Sequence, residues 1–224
     1  MKLYMHPASN ASRPVRLFIA ENKIACEELV VDLMTGEHYK EPFASMNPNK
    51  LVPWLEDGDL HLTESSAILK YLASKYDLPS YPKDLKKRAK VDEAMDWFNT
   101  QFYPDYGYGL TYPQIFGHHK RPTDEAQSAT IAWGKERAQK WFELLDSYWI
   151  GPSKSYLVGN EITIADYFGA CLATIGTVIR SDLSKYPNVA RWLGNMEKLP
   201  NWKAANEAMH GFAAYVKDQP FQAL

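Results

Sequence analysis

Cysteine is scarce in this chain: only Cys26 and Cys171 occur among 224 residues, far apart and without Cys-x-x-Cys spacing. That excludes a disulfide framework and a zinc motif, and it fits a reducing compartment. Charge of one sign is lacking as well. Twenty-five Lys and Arg stand against 27 Asp and Glu, and a formal charge of -2 with a pI near 6.3 argues against a nucleic-acid surface as the main business of the protein. The one basic run, Lys83 to Lys90, reads as a solvated helix face. Long hydrophobic runs are missing too. The longest weakly polar stretch, Phe168 to Ile179, is too short to cross a bilayer and is flanked by Asp166 and Arg180, so it reads as a buried helix. The opening Met1 to Pro7 has no apolar core of a secretory signal. The expectation is a soluble, cytoplasmic protein with neither membrane nor nucleic acid as partner.

What is present is enough apolar material to fold unaided: 46% hydrophobic and 13% aromatic residues can fill one large or two modest domains. Residues 2 to 5 read as a strand, Arg13 to Asn22 as a helix and Glu28 to Leu33 as a second strand, a β-α-β unit whose strands should be parallel. Residues 1–77 thus form an α/β unit, and 78–84, punctuated by Pro79 and Pro82, form a linker. From 85 to 224 the apolar spacing is helical over Leu85 to Phe102, Thr123 to Trp149, Thr163 to Ile179, Asn188 to Leu199 and Trp202 to Met209, which predicts an all-α bundle. Thr163 with Asp166 three residues on reads as a capping box, with Ile162 and Tyr167 as its hydrophobic staple.

The most informative stretches are Asn47-Pro48-Asn49-Lys50-Leu51-Val52-Pro53-Trp54-Leu55 and Leu62-Thr63-Glu64-Ser65-Ser66-Ala67-Ile68. A proline after Val52 suits the entrance of an edge strand, because it has no amide hydrogen for a central ladder; the Val52 backbone is then left free to pair with an extended ligand. Asp57-Gly58 between two apolar runs predicts a hairpin. Thr63 to Ser66 then opens a helix whose first amides have no helical partner and suit a carboxylate.

Together with the linker and the helical second half, this order of elements resembles the cytosolic glutathione transferases over essentially the whole chain. Asn47 to Tyr76 is most similar to the theta, delta and bacterial dehalogenase-like branches. The resemblance implies a thioredoxin-like N-terminal domain plus an all-α C-terminal helical bundle, a cis proline at Pro53, a homodimer, and glutathione as co-substrate with no metal. It also implies that Val52, with Leu51 and Pro53 around it, pairs with the cysteinyl part of glutathione, that Glu64 and Ser65 hold the γ-glutamyl end, and that His38 and Lys50 face the glycine carboxylate. These roles suit the residue types: a carboxylate for an ammonium, a helix start for one carboxylate, cationic donors for the other.

In the family's tyrosine branches a tyrosine stands two positions before the proline matching Pro7, and here that position is Met5. Omega-like and beta-like members use a cysteine near this point, and none is present. Serine branches show Ser-x-x-Ser/Cys-Arg, which Ser9-Asn10-Ala11-Ser12-Arg13 fits with Ser9 in the catalytic place. A thiol of pKa about 8.5 is mostly protonated near neutrality, and one hydrogen bond from a hydroxyl, worth about 1.5 to 3 kcal/mol, lowers it by about one to two units. Ser9 would be the donor, although a serine here also suits an N-cap. Ser12 has the same two readings. Asn10 matches nu-like members that reduce disulfides or peroxides with two glutathiones.

The second substrate, a small apolar electrophile, should meet the aromatic stretch Tyr103, Tyr106, Tyr108, Tyr112 and Phe116, with Gly107 and Gly109 placing the tyrosines on a mobile segment. His118-His119 has no acidic or sulfur partner in sequence and is assigned no metal. The resulting expectation is a detoxifying glutathione transferase; the alternatives are a nu-like glutathione-dependent disulfide reductase or peroxidase, and a non-catalytic glutathione-binding protein.

Overall fold

Strand β1 (Lys2–Met5) turns Leu3 and Met5 into the core and leaves Lys2 and Tyr4 on the other face, the period-two alternation of a half-buried strand. The computed structural model describes all 224 residues. Helix α1 (Ser12–Glu21) follows and buries Val15, Leu17, Phe18 and Ile19. β2 (Glu27–Val30) pairs with β1 in parallel, as the β-α-β reading requires, though it is shorter than Glu28 to Leu33 and begins one residue earlier. A short helix α2 (Phe43–Met46) precedes β3 (Trp54–Asp57), which runs antiparallel to β1. β4 (Leu60–Leu62) closes the hairpin with Asp57 opposite Leu60, and Gly58 at φ +64° supplies the left-handed turn residue.

The sheet order β2-β1-β3-β4 makes β3 a central strand, not the edge strand expected from Val52-Pro53. Pro53 is compatible with this because the ladder begins one residue later, at the pair Tyr4–Trp54. The Val52–Pro53 peptide is cis. Helix α3 (Ser65–Lys75) is tied to β3 through Asp57, which accepts from the Tyr71 hydroxyl at 2.6 Å and is paired with Lys75.

Beyond α3 every regular element is helical. α4 (Leu85–Trp97) continues through π-helical turns, Phe98–Phe102 and Pro104–Thr111, into α5 (Tyr112–Ile115). The aromatic stretch is therefore wound into a packed helix and is not a mobile segment. Its glycines serve close approach: a Cβ on Gly109 would lie 3.1 Å from the Gly134 Cα, and one on Gly134 would lie 2.6 Å from the Gly109 carbonyl oxygen. Gly134 belongs to α6 (Asp124–Leu144), capped by the Thr123 hydroxyl and prolonged by π-helical Leu145–Ile150. α7 (Ile164–Ala173) ends in a 3-10 segment, Thr174–Ile179, and α8 (Pro187–Met196) and α9 (Trp202–Tyr215) complete the chain.

One cluster of 43 buried apolar residues runs from Leu3 and Phe18 to Phe98, Phe168 and Trp192, so the sheet's helical layer and the bundle share a single core. The seam includes Phe18 on α1 edge-on to Tyr167 on α7, 5.1 Å between centroids. The capping box at Thr163 and Asp166 is formed. Asp166 does more than cap: its two oxygens accept from the Leu157 and Thr163 amides, the Thr163 hydroxyl and the Trp192 indole, joining α7 to α8. Burial pushes this carboxyl up to about 6 from its ordinary 3.8, against the pull of those four bonds.

Two outcomes follow. Asp166→Asn, which cannot accept from all four donors, should lower unfolding free energy by about 3 kcal/mol in urea titration. Since the folded chain keeps the Asp166 proton to a higher pH than the unfolded chain does, this group's share of stability falls as pH rises from about 4 to 6, and the variant should lose that slope. Gly134→Ala should cost about 2 kcal/mol or more through forced separation of α6 from the aromatic helix, read as a lower thermal midpoint.

Candidate active site

Ser9 sits in the turn between β1 and α1, and its hydroxyl oxygen accepts the Ser12 amide at 3.2 Å while its carbonyl accepts the Ser12 and Arg13 amides at 3.1 and 3.0 Å. The oxygen thus accepts at the start of the helix, and the hydroxyl hydrogen has no acceptor within the chain. Ser12 differs. It is fully buried in the first turn of α1, and its hydroxyl has no hydrogen-bond partner.

Asn10 is committed at both ends. Its Oδ1 accepts Arg13 Nη2 at 2.6 Å and its Nδ2 donates to the Tyr112 hydroxyl at 3.0 Å. Arginine carries no acceptor, so this amide orientation is dictated by chemistry. Tyr112 in turn shares a proton with Tyr103, 2.6 Å between hydroxyl oxygens. Burial pushes Tyr112 up to about 12 and Tyr103 well above its ordinary value, so both stay protonated and neither serves as a base. Burial also pushes Cys26 and Cys171 up to about 11, so neither thiol is poised as a nucleophile.

The Leu51-Val52-Pro53 segment lies at the entrance to β3. Val52 is buried, yet neither its N–H nor its C=O is paired within the chain. Buried Asn47, a residue the sequence reading passed over, shapes the preceding loop: Nδ2 donates to the Leu51 carbonyl at 2.7 Å and Oδ1 accepts the Asn49 amide at 3.1 Å. An Asx-type turn after a helix end was the available signal. Asn49 reaches Thr63 at 3.5 Å, which brings the two informative stretches together.

At α3 no side chain caps the helix start. Its first backbone bond runs from the Ile68 amide to the Glu64 carbonyl, leaving the amides of Ser65, Ser66 and Ala67 without helical partners. Glu64 is exposed and held at φ +63°, ψ +111°, a conformation costly for a non-glycine residue; Lys50, also exposed, stands at φ +53°. Both unusual residues lie in the two stretches singled out for glutathione. Leu51 is exposed, and Pro53 and Ser65 are buried.

His38 lies in a 3-10 turn, Glu37–Tyr39, its ring tilted at 46° to that of Tyr39 with centroids 3.9 Å apart, and with its Nδ1 buried and unpartnered. Burial first, and the nearby His118 second, hold it below its ordinary 6.5. It is a neutral donor at pH 7 rather than the cation expected, which leaves Lys50 as the fixed positive charge of that pair.

The aromatic residues separate into two groups. Tyr103, Tyr108, Tyr112 and Phe116 form a connected wall, with centroids 5.3 Å for Tyr103–Tyr108, 5.0 Å for Tyr108–Tyr112 and 5.5 Å for Tyr112–Phe116. Tyr106 does not join it: it is fully buried between Phe102 and Phe142, a core residue and not part of a pocket. Helical winding turns Tyr106 inward while residues 103, 108 and 112 share another face. His119 stacks on Tyr112 at 5.3 Å, and Phe212 of α9 stacks on Phe116 at 6.1 Å; both were missed as wall residues because they come from elements distant in sequence or from a presumed loop. No group of three or more His, Cys, Asp or Glu is arranged to hold a metal.

Two family models match: the glutathione S-transferase N-terminal domain over residues 1–74 and the glutathione S-transferase C-terminal domain over residues 115–200. The chain is 36% identical to human glutathione S-transferase theta-1 over 172 residues, covering 74% of this chain and 69% of that one. It is 31% identical to glutathione S-transferase 1 of Manduca sexta over 221 residues, 92% of each. Among solved structures, human glutathione transferase theta-2 in complex with glutathione superposes with a TM-score of 0.85 at 28% identity, covering 98% of this chain and 92% of that chain. A delta-class glutathione transferase of Nilaparvata lugens gives 0.82 at 31% identity, over 96% and 98%. An uncapped helix start, an unpaired Val52 and a serine hydroxyl with a free hydrogen thus occur in a chain that belongs to the glutathione transferase family, in its theta and delta branch.

Proposed function

We propose that the protein binds glutathione along Val52 and the start of α3, ionises its thiol against Ser9 and transfers the thiolate to a small apolar electrophile lying on the Tyr103–Tyr108–Tyr112–Phe116 wall. The observation that carries this reading is the Ser9 hydroxyl. Its oxygen is occupied by the Ser12 amide, so its hydrogen is directed away from the helix and has no acceptor of its own. A thiolate placed there accepts a charge-assisted hydrogen bond and also meets the positive end of α1.

Glutathione would be held by complementary groups. The unpaired N–H and C=O of Val52 form a two-bond ladder with the cysteinyl residue, as in strand addition. The open amides at Ser65 and Ser66 receive the γ-glutamyl carboxylate, and Glu64 receives its ammonium. Lys50, with neutral His38 as donor, faces the glycine carboxylate. No catalytic metal or redox group is required: the protein's task is to orient two reactants and stabilise one anion, and proximity supplies the rest. Residues 1–77 would contribute the peptide site and 85–224 the electrophile wall, joined by 78–84. The reading carries with it a cytoplasmic, detoxifying homodimer, as the resemblance implies. No helix is long and apolar enough to cross a membrane.

Asn10 is anchored by one bond at each end of its amide, to Arg13 and to Tyr112, which leaves one amide hydrogen uncommitted and keeps the disulfide-reductase alternative as the second reading.

Ser9→Ala should lower kcat/KM with an aryl or alkyl halide by about 10- to 100-fold while glutathione affinity changes by less than about threefold. In the same variant the thiol of bound glutathione, titrated by thiolate absorbance, should rise by about one to two pKa units toward the free value of about 8.5. Unchanged turnover with an unchanged thiol pKa would remove Ser9 from the mechanism.

A further inference from the structure

The guanidinium of Arg13 is a fully buried charge. Arg13 has no measurable exposure, and every partner it has is neutral: the Asn10 amide oxygen, the Thr174 hydroxyl at 3.3 Å, the Cys171 carbonyl at 2.5 Å and the Asn206 amide oxygen. Its Nε has no partner at all, and no carboxylate pairs with it. The titratable groups that face it are the Cys171 thiol from α7 and the Tyr112 and Tyr103 hydroxyls from the aromatic helix, all uncharged at neutral pH. Burial lowers its pKa, but a guanidinium remains protonated even in a protein interior.

A buried arginine ordinarily meets a carboxylate, because an uncompensated charge in a poorly polarisable interior is expensive. Here three elements, α1, α7 with its following turn, and α9, converge on the cation and each offers only a dipole. The charge lies close to the thiol site: Arg13 grips Asn10, the residue after Ser9, and its amide donates to the Ser9 carbonyl at 3.0 Å.

We propose that Arg13 is a positioning residue whose missing counter-charge is the glutathione thiolate itself, so that the buried guanidinium, acting through space behind Ser9, lowers the pKa of the bound thiol. This rests on the transferase reading and adds to it a second source of thiolate stabilisation that does not touch the sulfur. A unit charge about 10 Å away at an effective dielectric constant of about 20 shifts a pKa by roughly one unit, a tenfold change in thiolate fraction well below the pKa.

The test places an acid where the cation has only amides. In Asn206→Asp the carboxylate takes over the bond from Arg13 and cancels its charge, while Asn206→Ser, equally short of the Asn206 amide's bond to the Trp202 carbonyl, leaves the charge in place. Because Asn206 is fully buried, Thr174→Asp, half-buried on a different element, provides the same cancellation if Asn206→Asp does not fold. The readout is the pKa of bound glutathione by thiolate absorbance, with glutathione affinity measured alongside. Expected is a rise of about one unit in either acidic variant and none in Asn206→Ser. An acidic variant that binds glutathione with the wild-type thiol pKa, or a rise in Asn206→Ser equal to that in Asn206→Asp, overturns the role of Arg13 alone. A wild-type protein whose bound thiol titrates like free glutathione overturns the transferase reading and this inference with it.

Discussion

The start of α1 is where this structure is decided, and the Arg13 guanidinium holds it there. Four neutral partners from the preceding turn, α7, the 3-10 segment after it and α9 converge on one buried cation. The same guanidinium holds the Asn10 amide that donates to the Tyr112–Tyr103 hydroxyl pair, and the Arg13 backbone amide closes the turn at the Ser9 carbonyl. The turn between β1 and α1 and the aromatic wall are thereby referred to a common point. Hydrogen bonds to a charged group are stronger and more directional than those between neutral groups, so one cation can index several elements at once.

A second constraint complements the first. The site is built from backbone groups deliberately left without partners: Val52 at the mouth of β3 and the opening amides of α3. Unpaired backbone groups are tolerable only where solvent or a ligand can reach them. The loop that carries Val52 is kept in shape by Asn47 from inside, so the ligand groups are presented by a scaffold whose own hydrogen bonds are satisfied. Glu64 and Lys50, both at positive φ, show the cost of that presentation.

Much of this was legible in the residue order. Parallel β1 and β2, the Asp57-Gly58 hairpin, the helix opening at Ser65 and the Thr163–Asp166 capping box are local patterns whose physics lies within a few residues. What was not legible involved partners remote in sequence. The central place of β3 depends on which side of β1 the hairpin docks. The inward turn of Tyr106 and the close contact of Gly109 with Gly134 depend on π-helical winding against α6, which glycine content alone mimics as looseness. His38 loses its charge at neutral pH because burial and His118 meet it from elements far along the chain.

The amino-acid sequence by itself determined the α/β unit, the helical bundle and the family, because strand alternation, helix periodicity, turn glycines and caps are short-range properties. Only the tertiary structure decided that the Ser9 oxygen accepts at the start of α1 while its hydrogen stays free, that Ser12 is buried, that Asn10 is bound at both ends, and that Arg13 is buried with no anion beside it. The Ser9–Ser12 contact and the Asn10–Arg13 bond are local, but the burial of Arg13 and Ser12 and the Asn10–Tyr112 bond depend on desolvation and on groups remote in sequence, which have no signature in any single segment of the chain.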